Sequence, residues 1–327
     1  SETITRKHQI PGLRGQQLDK ILPCVCPYAE LITNDQMESF DAFMTPFWIF
    51  NKLTAKKLVP KKVVMESIND YFLSVFKAER DDRGSVAFPE LSEEDRIVEI
   101  KGQPVDLSKV LPKCALDFAK AIDQVKESAK GTTIKFNECI QDYFQSCAAE
   151  KKETGISVLK TGERIMSGGC GLMVSALSLI MGVDEDFLYQ SSFRETLNQM
   201  MKAMAAANIH FNDPYSYYKE VAKEKDPIKE DDVESWIAEQ LNLYHQQLAL
   251  FYALKKEVGE KLSTGEYKES FVHQVKEYAL LLESALSGVV LWSIDLTSRY
   301  DLTYKGKQPK ELAVLFDDLS EATAVDM

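Results

Sequence analysis

Three oxygen-bearing side chains, Asn212, Ser216 and Glu220, are spaced four residues apart in the stretch "FNDPYSYYKE" at 211–220. On a helix of about 3.6 residues per turn, this spacing keeps all three on one face. Such a row suits Mg²⁺, which prefers oxygen ligands and commonly retains waters and a substrate phosphate. Lys219 precedes the last member and is placed to reach the same phosphate. The row also fits a solvated helix face, because Asn, Ser and Glu are mostly exposed in proteins.

A metal-phosphate site also needs acids on a facing element. The candidate segment is "FKAERDDRG" at 76–84, where Glu79, Asp81 and Asp82 come at the end of an aromatic-rich helical pattern. The alternative is a solvated helix terminus, since acidic residues are mostly exposed.

Helical periodicity dominates the elements that would position these residues. Apolar residues recur at intervals of three and four, and convincing strand alternation is absent, so we predict an all-α protein. The predicted helical segments are 63–79, 110–130, 133–152, 193–211, 231–262 and 267–300.

Two places break the helical pattern. "RIMSGGCG" at 164–171 sets adjacent glycines in an apolar helical run, which is typical of a kink or of a close approach to a ligand. Pro214 lies inside the opening stretch and lacks an N–H, so the helix either kinks there or restarts near Asn212. The other breakers are too short for a flexible interdomain linker, which favours one helical domain.

Composition excludes several functions. The net charge of −12 argues against a general nucleic-acid binder, whose affinity depends on Lys and Arg meeting phosphates. The six cysteines and four histidines show no zinc-ligand spacing, and a chain of 327 residues does not need a disulfide framework. No apolar run suggests a spanning helix, and the first residues lack a signal core. We expect a cytoplasmic protein with reduced thiols and no stable membrane insertion.

Several stretches together resemble the class I terpene synthases. "NDPYSYYKE" resembles their second metal-binding motif, in which Asn, Ser or Thr, and Glu recur at this spacing, often with Lys before the Glu. Upstream, "RIMSGG" is similar to their diphosphate-sensing Arg and the broken helix that follows it. By that likeness Arg164 is the sensor, Ser167 the linker and Gly168 the effector that turns a backbone carbonyl to the substrate. Downstream, "GVVLWSIDLTSRY" at 288–300 resembles their C-terminal Arg-Tyr pair.

The resemblance covers about residues 26–303 and carries further implications. The fold would be a single-domain α-helical bundle of the class I terpenoid synthase type around a central apolar cavity, at 26–327 after an N-terminal segment 1–25. The chain would be a terpene cyclase, a monomer or homodimer, that binds Mg²⁺, three ions in this family, with Mn²⁺ as a possible substitute. The substrate would be farnesyl or geranylgeranyl diphosphate, whose diphosphate contacts Arg164, Lys219, Arg299 and Tyr300.

The sequence departs from the family pattern at the first metal motif and at Pro214. The family typically has DDxxD or DDxxE at its first metal motif, whereas "AERDDRGS" has acids at 79, 81 and 82 and none at 85. We prefer Asp81 as the principal ligand, with Asp82 or Glu79 in support; the other register starts at Glu79 and puts Arg80 where an acid is expected. Pro214 stands where the family commonly has an apolar helix former.

The chemistry implied is ionisation of an allylic diphosphate to a carbocation, which requires a dry pocket with aromatic faces. Each aromatic candidate also fits plain core packing. These candidates are Phe72, Phe76, Phe211, Tyr215 and Trp292. Two other functions remain open: a prenyl-chain elongase of the same fold, and a non-catalytic helical protein that binds lipid or diphosphate.

Overall fold

The structure is a computed structural model, and it describes most of the central chain. The described residues are 25–26, 33–54, 58–100, 102–129, 131–149, 168–220, 230–265 and 267–291. At 148–149, 215–220, 230–234 and 291, the description covers the helical backbone but not the side chains. Among the helices of this part of the chain, none is long and apolar enough to cross a membrane.

Helices make up 78% of the described structure, so the all-α prediction is confirmed. The predicted segments 63–79, 110–130, 133–152 and 231–262 match observed helices to within about three residues at each end, whereas 193–211 continues to Glu220. The segment 267–300 is helical from Glu269 to Leu291, and 292–300 lies outside the described residues. The helices are α1 (Asn34–Leu53), α2 (Lys62–Lys77), α3 (Glu93–Arg96), α4 (Leu107–Glu127), α5 (Ile134–Ala149), α6 (Cys170–Ile180), α7 (Glu185–Tyr189), α8 (Arg194–Glu220), α9 (Glu230–Leu262) and α10 (Glu269–Leu291).

One antiparallel hairpin contradicts the expectation that strands are absent. Strand β1 (Ile97–Ile100) pairs with β2 (Gln103–Asp106), with Ile100 opposite Gln103. Gly102 turns the chain with a φ of 74°, a left-handed conformation that glycine adopts without steric cost. Two strands of four residues each are too short for alternation to stand out, and Asp106 then caps α4 by accepting a hydrogen bond from the Ser108 N–H.

Two groups of helices meet around α6. Helix α1 packs mainly on α4, and α2 on α5 and α4; helix α8 packs along α9 and against α10. Helix α6 contacts α1, α4 and α5 on one side and α8 and α10 on the other. Its buried run from Leu172 to Ile180 is therefore apolar apart from Ser175 and Ser178.

An aromatic cluster fills the first group. Phe50 lies 4.7 Å from Phe72 and 4.9 Å from Phe144 between ring centroids, both edge-on. Edge-to-face contacts at such distances add to the free energy of burial. The cluster brings together rings of α1, α2, α4 and α5: Phe43, Phe47, Phe50, Phe72, Phe76, Phe118, Phe136, Tyr143 and Phe144.

Helix α8 runs without interruption through Pro214, so the alternative in which the helix restarts near Asn212 is wrong. Pro214 is buried, and lacking an N–H it leaves the carbonyl of His210 without its usual intrahelical donor. Contacts along α9 and α10 hold this helix in place on two sides. Asn212 therefore lies in the body of a helix, directly after the fully buried segment 203–211.

A buried carboxyl group lies at the far end of α6, where sequence reasoning indicated nothing. Glu185 accepts a hydrogen bond from the Ser175 hydroxyl, and the hydroxyls of Tyr189 and Tyr278 lie 3.1 Å apart beside it. Burial raises the pKa of Glu185 above its ordinary value of 4.5, although hydrogen bonds from Ser175 and Ser178 oppose that shift. The neighbouring Asp186 instead caps α5, accepting from the backbone N–H groups of Ile134 at 2.9 Å and Lys135 at 2.7 Å.

Glu185→Gln tests the protonation of this group. The raised pKa means that the folded state retains a proton which the unfolded state releases above pH 4.5. The stability of the wild type therefore falls as pH rises from 4.5 through the folded pKa. Glutamine does not titrate, so we expect the variant to gain stability relative to wild type across that window, as measured by urea unfolding at a series of pH values. The exposed Glu90→Gln is the control; a constant difference between Glu185→Gln and wild type over the window would contradict the assignment.

Candidate active site

The three candidate acids lie in a tight turn directly after α2. The helix ends at Lys77, two residues before the predicted end, and the Asp82 N–H donates to the Glu79 carbonyl at 3.0 Å. A short 3₁₀ helix, Arg83–Ser85, follows, with the Ser85 hydroxyl donating to the Asp82 carbonyl at 2.6 Å. We refer to Glu79–Asp82 as the acidic turn.

The carboxylates of the acidic turn are exposed and chemically available. Glu79, Asp81 and Asp82 are all exposed, and no described side chain forms an ion pair or hydrogen bond with their carboxylates. Their oxygen donors suit a hard divalent cation. Within the described side chains, however, no group of three or more His, Cys, Asp or Glu residues is placed to hold a metal ion.

The two arginines of this segment point to α4 instead of to their acidic neighbours. Arg83 is nearly buried and forms a two-pronged pair with Asp123, at 2.6 Å and 3.0 Å. Arg80 places its Nε 3.0 Å from the same Asp123 and hydrogen-bonds Glu127. Partial burial disfavours ionisation of Asp123, but the hydrogen bond and positive charge of Arg83, with the charge of Arg80, hold its pKa below the usual value.

The second oxygen row lies on the C-terminal part of α8. Asn212, Ser216 and Glu220 belong to one continuous helix. Their spacing of four residues therefore places the three backbone positions on one face of α8. Asn212 is half-buried. The side chains of Tyr215, Ser216, Lys219 and Glu220 lie outside the described ones, so their convergence with the acidic turn stays a prediction.

The described part of the glycine break lies directly before α6. Gly168 lies in a turn, and Gly169 is the residue before the helix, with a φ of 73°. A Cβ atom at Gly169 would clash with Cζ of Phe47, so the start of α6 packs directly on the aromatic cluster. Arg164 and Ser167 lie outside the described residues, and Arg299 and Tyr300 do so as well.

The aromatic candidates that the structure describes are packed in the core. Phe72 is fully buried, and Phe76 lies 5.4 Å from Phe118 and 5.5 Å from Phe144 between ring centroids. Phe211 is also buried and lies 6.0 Å from Tyr244. Trp292 lies outside the described residues, and the side chain of Tyr215 is not described. The contacts of the three described rings fit core packing, and whether they also line a cavity stays a prediction.

Comparison with known proteins finds likeness in structure but not in sequence. No family model matches the chain, and no curated protein sequence matches it. Among solved structures, wild-type cucumene synthase superposes with a TM-score of 0.61 over 89% of this chain and 92% of its own, at 11% identity. A single-residue variant of that enzyme gives a TM-score of 0.61 over 90% and 94% of the two chains, at 13% identity.

The chain has the class I terpene synthase fold. At this level of identity the likeness shows the fold alone. In this fold the acidic turn lies at the end of α2, the glycine break lies before α6, and the oxygen row lies on α8.

Gly169→Ala tests the constraint at the glycine break. Alanine must adopt the left-handed backbone conformation and displace the ring of Phe47, so we expect a loss of about 1–3 kcal/mol in the free energy of unfolding. Chemical unfolding followed by circular dichroism measures this. Gly259→Ala is the matched control, because Gly259 lies within helix α9 with open space around its Cα. The control should be stabilised by about 0.5–1 kcal/mol. Equal stabilities for the two variants would contradict the packing described.

Proposed function

We propose that the protein is a terpene cyclase, which ionises a linear prenyl diphosphate with the help of Mg²⁺, cyclises the resulting carbocation and releases diphosphate. One observation carries the proposal. A chain with the class I terpene synthase fold has an acidic turn after α2 whose three carboxylates are exposed and make no contact with other described side chains. Burying or pairing these carboxylates would have favoured a structural role. Their availability favours a cation site.

The available oxygen donors fit Mg²⁺ in kind. In the proposal Asp81 and Asp82, supported by Glu79, hold metal on one side of the site, and Asn212, Ser216 and Glu220 hold it on the other. When bound, the metal neutralises charge that develops on the departing diphosphate. Three Mg²⁺ ions, for which Mn²⁺ can substitute, remain part of the proposal.

The orientation of Arg80 supports the register that begins at Asp81. A register that begins at Glu79 makes position 80 a metal-facing position. The Arg80 guanidinium instead pairs with Asp123 and Glu127 on α4. We therefore assign Asp81 as the principal ligand.

The diphosphate is held by fixed cations and donors. We assign Arg164, Lys219 and Arg299 to charge-assisted hydrogen bonds with its oxygens, and Tyr300 to a hydroxyl contact. Ser167 and Gly168 carry the broken backbone that faces the substrate. The left-handed Gly169 supports that assignment, because it turns the chain sharply before α6 begins.

The carbocation needs a dry, apolar surface. Phe76 reaches the aromatic cluster from the last turn of α2, three residues before the acidic turn begins at Glu79, which supports its assignment to the wall of the cavity near the acidic turn. Phe72 and Phe211 are assigned to the same wall, with Tyr215 and Trp292. Aromatic faces attract cations, and excluding water prevents premature quenching.

Farnesyl and geranylgeranyl diphosphate are both candidate substrates for the proposed catalytic domain at 26–327. An elongase of the same fold carries a second Asp-rich motif, whereas α8 carries Asn, Ser and Glu at the corresponding positions. Cyclase activity is therefore favoured over chain elongation. A non-catalytic binding protein would retain the helices but would not release diphosphate.

Incubation with Mg²⁺ and each prenyl diphosphate tests the proposal. The wild type should release diphosphate and yield a cyclic hydrocarbon or alcohol, detected by mass spectrometry of the extract. Arg164→Ala, and the double variant Asn212→Ala with Ser216→Ala, should each lower the rate of release by about 100-fold or more.

The exposed Arg194→Ala is the matched control, because it removes a positive charge at the opposite end of α8. Wild-type rates in both Arg164→Ala and the double variant would refute the proposed site. Chain growth on adding isopentenyl diphosphate would identify an elongase instead, and magnesium-dependent binding without turnover would identify a binding protein.

A further inference from the structure

We infer that Asp123 is a positioning residue that keeps two arginines away from the carboxylates of the acidic turn and so maintains the turn's affinity for Mg²⁺. Asp123 lies on α4 and is not itself a metal ligand in this proposal. The inference rests on the proposed function, because it assigns metal binding to the acidic turn.

The local sequence creates a problem for any cation site. In "ERDDR" at 79–83, three acids alternate with two arginines, each of which is next to an acid in the chain. Guanidinium groups form strong two-pronged hydrogen bonds with carboxylates. An arginine that paired with Asp81 or Asp82 would occupy the oxygens that Mg²⁺ needs.

The structure resolves this competition through Asp123. Its Oδ2 lies 2.6 Å from Nη1 of Arg83 and 3.0 Å from Nε of Arg80, so one oxygen bonds both guanidinium groups. The Oδ1 atom accepts a second hydrogen bond from Arg83 at 3.0 Å. Glu127, one helical turn further along α4, provides a second acceptor for Arg80.

Arg83 also fixes the backbone of the segment. Its Nε donates to the Ala78 carbonyl at 3.3 Å, which spans the acidic turn from the residue before it to the residue after it. The Arg83 side chain is only 10% exposed, and Asp123 only 16%. Weak solvation makes this pair far less sensitive to salt than an exposed ion pair. The turn is thereby attached to α4, with its carboxylates left in solvent.

Asp123→Asn tests the inference by metal binding without catalysis. Mn²⁺ is titrated into the full chain in the presence of inorganic diphosphate, and free Mn²⁺ is measured by electron paramagnetic resonance. We expect binding about 10-fold weaker than in the wild type, since changes beyond the ligands themselves have effects of this order. Diphosphate release should show the matching pattern: a higher half-saturating Mg²⁺ concentration, with much of the maximal rate recovered at saturation.

Asp95→Asn is the matched control. Asp95 is also 16% exposed and pairs with a cation from another element, Lys61, at 2.9 Å. It lies in α3, outside the acidic turn. We expect its Mn²⁺ affinity to equal that of the wild type.

A triple variant separates charge competition from a general structural role. Asp123→Asn combined with Arg80→Gln and Arg83→Met leaves no guanidinium to compete and no buried charge without its partner. Mn²⁺ affinity should return towards the wild-type value. If Asp123 acts only by supporting the fold, affinity will stay low. The double variant Asp123→Asn with Arg83→Met replaces the single variant if that fails to fold, and its affinity should remain weak because Arg80 is still present.

Wild-type Mn²⁺ affinity in Asp123→Asn, or in the double variant, would overturn the inference. If Mn²⁺ affinity does not recover in the triple variant, the charge-competition mechanism is overturned. Absence of Mn²⁺ binding by the wild type would overturn the inference as a whole. Failure of the proposed function gives a different result. In that case prenyl diphosphates are not turned over by the wild type, while the differences in Mn²⁺ affinity between variants persist.

Discussion

The architecture depends on the complete burial of the middle of α8. Every residue in "AMAAANIHF" at 203–211 is buried, so this part of the helix has no face towards solvent. Four alanines in the first five positions let neighbouring backbones approach closely, since the distance between packed helices is set by the side chains at the contact. Helices α9, α10 and α6 all pack against α8. The direction of α8 is therefore fixed before the helix reaches the oxygen row.

Burial on all sides constrains the polar residues within the same segment. His210 places Nδ1 2.9 Å from Oε1 of Gln240 on α9, and Asn208 donates from Nδ2 to the Ala285 carbonyl on α10 at 3.4 Å. Such bonds matter because a buried polar group without a partner costs about 1–3 kcal/mol. These two hydrogen bonds fix the position of α8 along the axes of α9 and α10. Pro214 follows one turn later, where packing on the neighbours can maintain the helix despite a missing backbone donor.

Helical periodicity predicted the elements that are long and one-sided, and it failed where the pattern is weak. Helix α1 is a continuous helix of 20 residues that contains Pro46. The sequence did not indicate it, because a proline usually ends or kinks a helix. Its buried aromatic residues are Phe40, Phe43, Phe47 and Phe50. Glu185 stands in "VDEDF", a run of acids typical of an exposed helix start, yet it is buried because α5, α6 and α10 close over it. Neither outcome is encoded locally, because both depend on which helices pack together.

The acidic turn shows the same limit in the candidate site. Sequence spacing identified the acids, but it left the register open because arginine stood among them. The decisive partner, Asp123, is 40 residues beyond Arg83, and no periodicity links the two. Once α4 packs against α2, the carboxylate of Asp123 becomes a better partner for both arginines than the exposed acids beside them, because it is less solvated. In the sequence, Arg80 and Arg83 are placed to compete with a cation for the neighbouring carboxylates. In the folded chain both arginines pair with Asp123 instead, so this departure from the family motif is compatible with a cation site.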